Sequence, residues 1–273
     1  MSARDGYAPG VPCWVDTWQP DPQAAARFYT QLFGWEAEEP TPTDSEGKQY
    51  MCRLRGRDVA AIAGPPPEGA PAAWGTYVWV EDADETAAKA ADAGGSVVVA
   101  PFDSYDGGRM AIVADPAGAV IGVWKPGAHR GAQLVNEPGA WSMSSLNTRD
   151  PEAAKAFYGA VFGWTTSSLD LGGSEATMWH VPGYVGGEPQ QPVPRDVVAT
   201  MTPKADQFPG DVPPHWSVDF WVGEVDGAAE KAAELGGRVV APPYDIPGTP
   251  LRQAVLTDPH GAAFSVTKVT AGR

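Results

Sequence analysis

The feature that most constrains this chain is an octapeptide that occurs twice. Phe28 to Trp35 reads FYTQLFGW, and Phe157 to Trp164 reads FYGAVFGW, 129 residues later. Each copy follows Asp-Pro and an Ala-rich stretch, DPQAAARFY from Asp21 and DPEAAKAFY from Asp150. The match continues through 78–101 against 220–243 and through 109–125 against 252–268. A chain that repeats over this length folds as two homologous domains in tandem, each large enough for a core. The boundaries expected are 8–126 and 139–270, with a Gly- and Pro-rich linker at 127–138.

Within each half, Asp21 and Asp150 read as helix N-caps, with Pro at the first helical position and Gly34 and Gly163 at the stop. Helices are expected over about 22–33 and 151–162, because apolar residues at Ala25, Phe28, Tyr29 and Leu32 share one face. Short strands are expected at roughly 35–38, 49–55 and 58–63, then a strand near Tyr77, a helix over 84–93 and three strands ending at Trp124. Asp-Pro-x-Gly at 115–118 and 258–261 is a turn before the last strand of each half. The fold class is therefore α+β, with four βαβββ modules. Stretches 182–195 and 202–214 read as surface loops.

A net charge of −15 disfavours nucleic acid and anionic membranes as partners. No apolar run reaches the roughly 20 residues that span a bilayer, and the N-terminus has no apolar secretory core, so the cytoplasm is the expected location. Cys13 and Cys52 have no counterparts in the second half and read as reduced apolar residues.

Four βαβββ modules, helices reading DPxxAxxFYxxxFGW and a DPxG turn together resemble the vicinal oxygen chelate superfamily, over residues 10 to 268. That superfamily includes glyoxalase I, extradiol dioxygenases and bleomycin-resistance proteins. The closest likeness is to its two-domain, glyoxalase-like members of the hydroxylase or antibiotic-resistance type. The resemblance implies curved sheets wrapped around clefts. It also implies a divalent metal held by His, Gln or Glu, seven residues before the Asp opening each helix and seven after the Asp of DPxG. Those positions here are Trp14, Gly75, Met143, Ser217, Gly122 and Ser265, and the remaining strand offers only Ala61 and Ala199. None suits a metal, which needs about three N or O donors. The expectation is no metal and no cofactor.

Alternate strand residues share a face, so the cleft faces carry Trp14, Asp16 and Trp18, then Gly75, Tyr77 and Trp79, then Gly122 and Trp124. The second half supplies Met143, Ser145 and Asn147, then His215, Ser217, Asp219 and Trp221, then Ser265. Glycines beside tryptophans suggest room for a flat apolar molecule, with the first domain the preferred holder. Packing alone is the competing use of the tryptophans. His215, Ser217 and Asp219 lie in a row on one strand, which does not make a catalytic triad. Arg109 and Arg252 hold one repeat position and read as structural pairing.

The leading function is metal-free binding of a small hydrophobic or aromatic, antibiotic-like metabolite in a Trp-lined cleft, by a monomer or homodimer. The alternative is a metal-independent enzyme of secondary metabolism (hydroxylase, isomerase or cyclase-like) using Asp16, Tyr77, His215 or Asp219. A metal-dependent glyoxalase-type lyase or dioxygenase ranks last because its ligands are missing.

Overall fold

A computed structural model describes residues 3–38, 48–104, 107–171, 175–186, 195–203 and 212–270. The loops expected at 182–195 and 202–214 therefore lie in part outside the described residues. The first half runs β1 (Pro12–Trp18), α1 (Pro22–Phe33), β2 (Glu36–Glu38), β3 (Lys48–Leu54), β4 (Arg57–Gly64), β5 (Ala73–Trp79), α2 (Ala83–Asp92), β6 (Ser96–Asp103), β7 (Arg109–Ala114) and β8 (Val120–Lys125). The second half repeats the order with β9 (Trp141–Thr148), α3 (Pro151–Phe162), β10 (Thr165–Asp170), β11 (Glu175–His180), β12 (Val197–Pro203), β13 (His215–Trp221), α4 (Val225–Glu234), β14 (Arg238–Ile246), β15 (Leu251–Thr257) and β16 (Ala263–Val269). The fold is α+β, four βαβββ modules in two eight-stranded mixed sheets, ordered β2-β3-β4-β1-β5-β8-β7-β6 and β10-β11-β12-β9-β13-β16-β15-β14. Among the described residues, no helix is long and apolar enough to cross a membrane.

The capping signals act as their chemistry predicts. Asp21 and Asp150 each accept the backbone N–H three residues on, and Gly34 and Gly163 end their helices in the left-handed region. β5 starts at Ala73, four residues ahead of the strand expected near Tyr77. Its first turn of chain, AWG, is held by antiparallel pairing of Ala73 with Trp18 and Trp74 with Thr17.

The two repeats do not own a core each. One core gathers the first module with the fourth, so that Phe33 of α1 packs 4.8 Å from Phe220 and Phe28 6.3 Å from Phe264. The other gathers the second module with the third, α2 lying with Phe157, Tyr158 and Trp164. The repeated octapeptide is the tie. Tyr29 donates to Asp258 Oδ2 at 2.9 Å, and Tyr158 donates to Asp115 Oδ2 at 3.2 Å. Trp35 Nε1 donates to the Gly139 carbonyl at 2.6 Å, and Trp164 Nε1 to that of Gly10 at 2.7 Å. Each acceptor belongs to the opposite repeat, so the buried DPxG aspartates are both turn formers and anchors for the other half. Arg109 pairs with Asp84 and Asp103, and Arg252 with Asp226 and Asp245, on the outer surface.

Candidate functional site

The concave face of the first sheet carries the side chains that strand parity assigns to it. Asp16 and Gly75 are cross-strand partners, as are Tyr77 and Gly122. Tyr77 donates its hydroxyl to Asp16 Oδ2 at 2.8 Å. A Cβ on Gly122 would stand 2.1 Å from the Tyr77 ring, so this glycine makes the seat for the tyrosine and adds no ligand volume. Burial pushes the Asp16 carboxyl up to about 7 despite the Tyr77 hydrogen bond that opposes the rise. Its Oδ1 is buried without a hydrogen-bond partner. Burial, with Asp16 alongside, also holds the Tyr77 hydroxyl protonated far above its usual range.

The tryptophans of this face are covered. Trp14, Trp79 and Trp124 are buried, and only Trp18, 38% exposed, reaches solvent. The cover is the interdomain linker. The His129 ring sits edge-on to Trp14 at 4.3 Å and to Trp124 at 5.7 Å, and Trp124 Nε1 donates to the His129 carbonyl. Arg130 lies over Trp79, with Tyr7 of the N-terminal arm on the same ring. The linker and the N-terminal arm of the same chain thus lie against the tryptophans of the domain expected to be the preferred holder.

The second concave face is polar and less covered. Asp219 pairs with Met143 on β9 and with Ser265 on β16, so it stands between two positions that bear metal ligands in the family pattern. Thr267 Oγ1 and Gln253 Nε2 donate to Asp219 Oδ2 at 2.6 and 2.8 Å, and Ser142 Oγ donates to Oδ1 at 3.1 Å. Tyr244, 40% exposed, donates to Gln253 Oε1. Burial raises the Asp219 carboxyl to about 6, against the opposing pull of the hydrogen bonds from Thr267, Gln253 and Ser142. Along the sheet, Asn147 Nδ2 donates to Ser217 Oγ, Ser217 Oγ to the Ser145 carbonyl, and the Ser145 and Thr200 hydroxyls bond each other. Ser145, Ser217, Trp221 and Met143 are part-exposed.

His215, Ser217 and Asp219 each bond elsewhere, His215 Nδ1 to the Pro213 carbonyl. The structure brings together Asp16 with Tyr77, and Asp219 with Met143 and Ser265. It places Gln253, Tyr244 and Thr200 beside them, which strand parity on separate segments did not reveal. Among the described residues no three His, Cys, Asp or Glu side chains cluster as a metal site. The donors at the family's ligand positions are indole, thioether, hydroxyl or nothing, and this set does not fit a divalent metal.

Comparison with known proteins agrees with this architecture. Residues 14–123 match the family model described as Glyoxalase/Bleomycin resistance protein/Dioxygenase superfamily, and residues 143–267 match a glyoxalase-like domain. A Mycobacterium tuberculosis protein named "Putative glyoxylase CFP32" is 41% identical over 98% of both chains. The chain belongs to the glyoxalase/bleomycin resistance/dioxygenase superfamily. The anthracycline biosynthesis protein DnrV of Streptomyces peucetius is 36% identical over 97% of this chain and 96% of its own. The Mn(II)-bound glyoxalase of Novosphingobium aromaticivorans shares the fold with a TM-score of 0.62 at 15% identity, covering 96% of this chain and 83% of its own. Superfamily membership and a substituted ligand set coexist in this chain.

Proposed function

We propose that this protein binds a small hydrophobic or aromatic metabolite without a metal, in the cleft of its second domain. The observation that carries the reading is Asp219. It sits at the centre of the part-exposed concave face, between former ligand positions, and is held by Gln253, Thr267 and Ser142. Met143, Trp221 and Tyr244 give this face apolar surface, while Ser145, Asn147 and Ser217 give it fixed polar groups, the mixture that orients a flat ligand. Likeness to DnrV, named for anthracycline biosynthesis, supports an aromatic product of secondary metabolism as the ligand class. A cytoplasmic antibiotic-holding role fits that class.

A second reading, metal-independent catalysis, is favoured by one observation. Burial raises the Asp219 carboxyl to about 6 on a part-exposed strand, a placement that suits a general base.

The test is tryptophan-fluorescence titration with planar aromatic compounds, with and without EDTA. EDTA-insensitive quenching at one ligand per chain, weakened at least about tenfold in Trp221→Ala, is expected. Binding that disappears with EDTA, or that Trp221→Ala leaves unchanged, overturns the reading. Recovery of unaltered ligand from wild type indicates holding. Its conversion by wild type and not by Asp219→Asn indicates catalysis.

A further inference from the structure

Strand register sets one transverse row across the second concave face. Ser217 pairs with Ser145, Ser145 with Thr200, Thr200 with Met178 and Met178 with Ser167. Side chains directly opposite one another share a face, so the row runs from the Asp219 region to the outer strand β10. His180 pairs with Thr165, two residues from Ser167, and so stands diagonally beside it on that face. Ser167 Oγ and His180 Nε2 are 2.7 Å apart, and His180 Nδ1 and Asp196 Oδ2 are 3.1 Å apart. Three elements supply the three groups: β10, β11 and the turn that opens β12. Ser167 is exposed, and the His180 side chain is largely buried at 16% exposure.

We propose that Ser167, His180 and Asp196 form a metal-free acyl-transfer site at the rim of the second cleft, acting on aryl esters. A nucleophile within hydrogen-bond reach of a base, itself oriented by a third group, is the arrangement that activates a serine hydroxyl. Nδ1–H of His180 donates to Asp196, which fixes the tautomer whose Nε2 lone pair faces Ser167. Ser167 Oγ then attacks the ester carbonyl carbon, and its proton passes to Nε2. The ester C–O bond breaks, and the aryl oxygen leaves with that proton as a phenol. The acyl group stays on Ser167 until water attacks the same carbon. His180 takes the proton of that water and returns it to Ser167 Oγ, and the carboxylic acid departs.

Aryl esters suit the site for two reasons. An aryl oxide is a far better leaving group than an alkoxide, so C–O cleavage makes little demand on proton donation from His180 as the phenol departs. The row also leads from Ser167 over Met178 and Thr200 to Ser145, a span of about 14 Å at the usual strand spacing, along which an aromatic body can lie. Ser167, His180 and Asp196 lie on strands β10 and β11 and the turn before β12, apart from the Asp219 cluster on β13, β15 and β16. Acyl transfer at Ser167 is distinct from ligand holding at Asp219, and a covalent probe reads the first where fluorescence quenching reads the second.

The full-length protein is to be treated with a fluorophosphonate probe, with the adduct located by mass spectrometry, and assayed for p-nitrophenyl acetate hydrolysis. The expected result is an adduct on Ser167, absent in Ser167→Ala and in His180→Gln. Hydrolysis should fall about 100-fold in both variants and about tenfold in Asp196→Asn, a positioning residue. Ser168→Ala, altered one residue away in a side chain that bonds Glu175, should keep the wild-type rate. No adduct on Ser167, or an unchanged rate in Ser167→Ala that keeps the native near-UV circular dichroism, overturns the proposal. If Ser167→Ala fails to fold, the wild-type labelling site decides alone.

Discussion

The two concave faces descend from one repeat, and they differ in what covers them. In the first, Tyr77 fills the space over Gly122 and His129 of the linker lies against Trp14 and Trp124. In the second, the position of Gly122 is Ser265 and that of Tyr77 is Asp219, and Asp219 keeps its polar partners on a part-exposed strand. The chain leaves one cleft as it enters the linker, so the linker is at hand to close that cleft. The lesson is that aromatic content does not mark the open site: large apolar side chains bury themselves when a neighbouring segment can cover them.

Both faces hold a carboxyl that burial forces toward the neutral form, and the sharpest test of the comparison is their titration. The folded-state value of Asp16, about 7, lies above its ordinary 3.8, so the folded protein binds more protons and stability falls as pH rises between those values. The loss is at most about 4 kcal/mol and is complete above pH 7. Urea unfolding of Asp16→Asn against wild type from pH 4 to 8 should show a flatter profile in the variant. Asp219→Asn should flatten it less, since that carboxyl rises only to about 6. Equal effects from the two would erase the distinction between a closed and a hydrogen-bonded site.

The next effect is steric. Gly122→Ala forces a methyl to within 2.1 Å of a Tyr77 ring that Asp16 holds by its hydroxyl, and should cost about 2–3 kcal/mol in chemical denaturation. Ser265→Ala, at the matching place in the second domain, should cost well under 1 kcal/mol. Similar losses would mean that both clefts are packed alike.

The smallest stability effect, about 1 kcal/mol, is expected for His129→Ala, which removes edge-on contacts with two indoles. Its value lies in the second readout. If the linker is what closes the first cleft, this variant should gain quenching by planar aromatic compounds, with Trp14 and Trp124 newly accessible. Unchanged quenching would assign closure to Tyr77 and the N-terminal arm.

Much of this was legible in the residues. The Asp-Pro starts, the Gly stops and the alternation in WVDTW and WGTYVW are local signals, and local backbone chemistry decides them. The substituted metal ligands were legible because spacing from a cap is conserved by the strand itself. What could not be read depends on how distant segments meet. Nothing in KPGAHRGAQ signals that a histidine will sit between two tryptophans. Gln253 reaches Asp219 only because β15 and β13 both flank β16. The Ser167–His180 pair needs a diagonal across two strands, and Asp196 reaches it from a turn beside an irregularity in the β11–β12 register. The tie from Tyr29 to Asp258 crosses 229 residues of sequence.

That crossed packing bears on how the chain is made. The apolar face of α1 finds Phe220 roughly 190 residues after Phe33 has been synthesised. At ordinary elongation rates this is an interval on the order of 10–40 s. During it the amino-terminal half leaves the ribosome with the contacts of Phe28 and Phe33 to Phe264 and Phe220 unmade, while the second core is complete once Trp216 of β13 has emerged, ahead of Phe264. The middle of the molecule should therefore fold before its two ends, and the nascent first helix is the segment that most needs a chaperone.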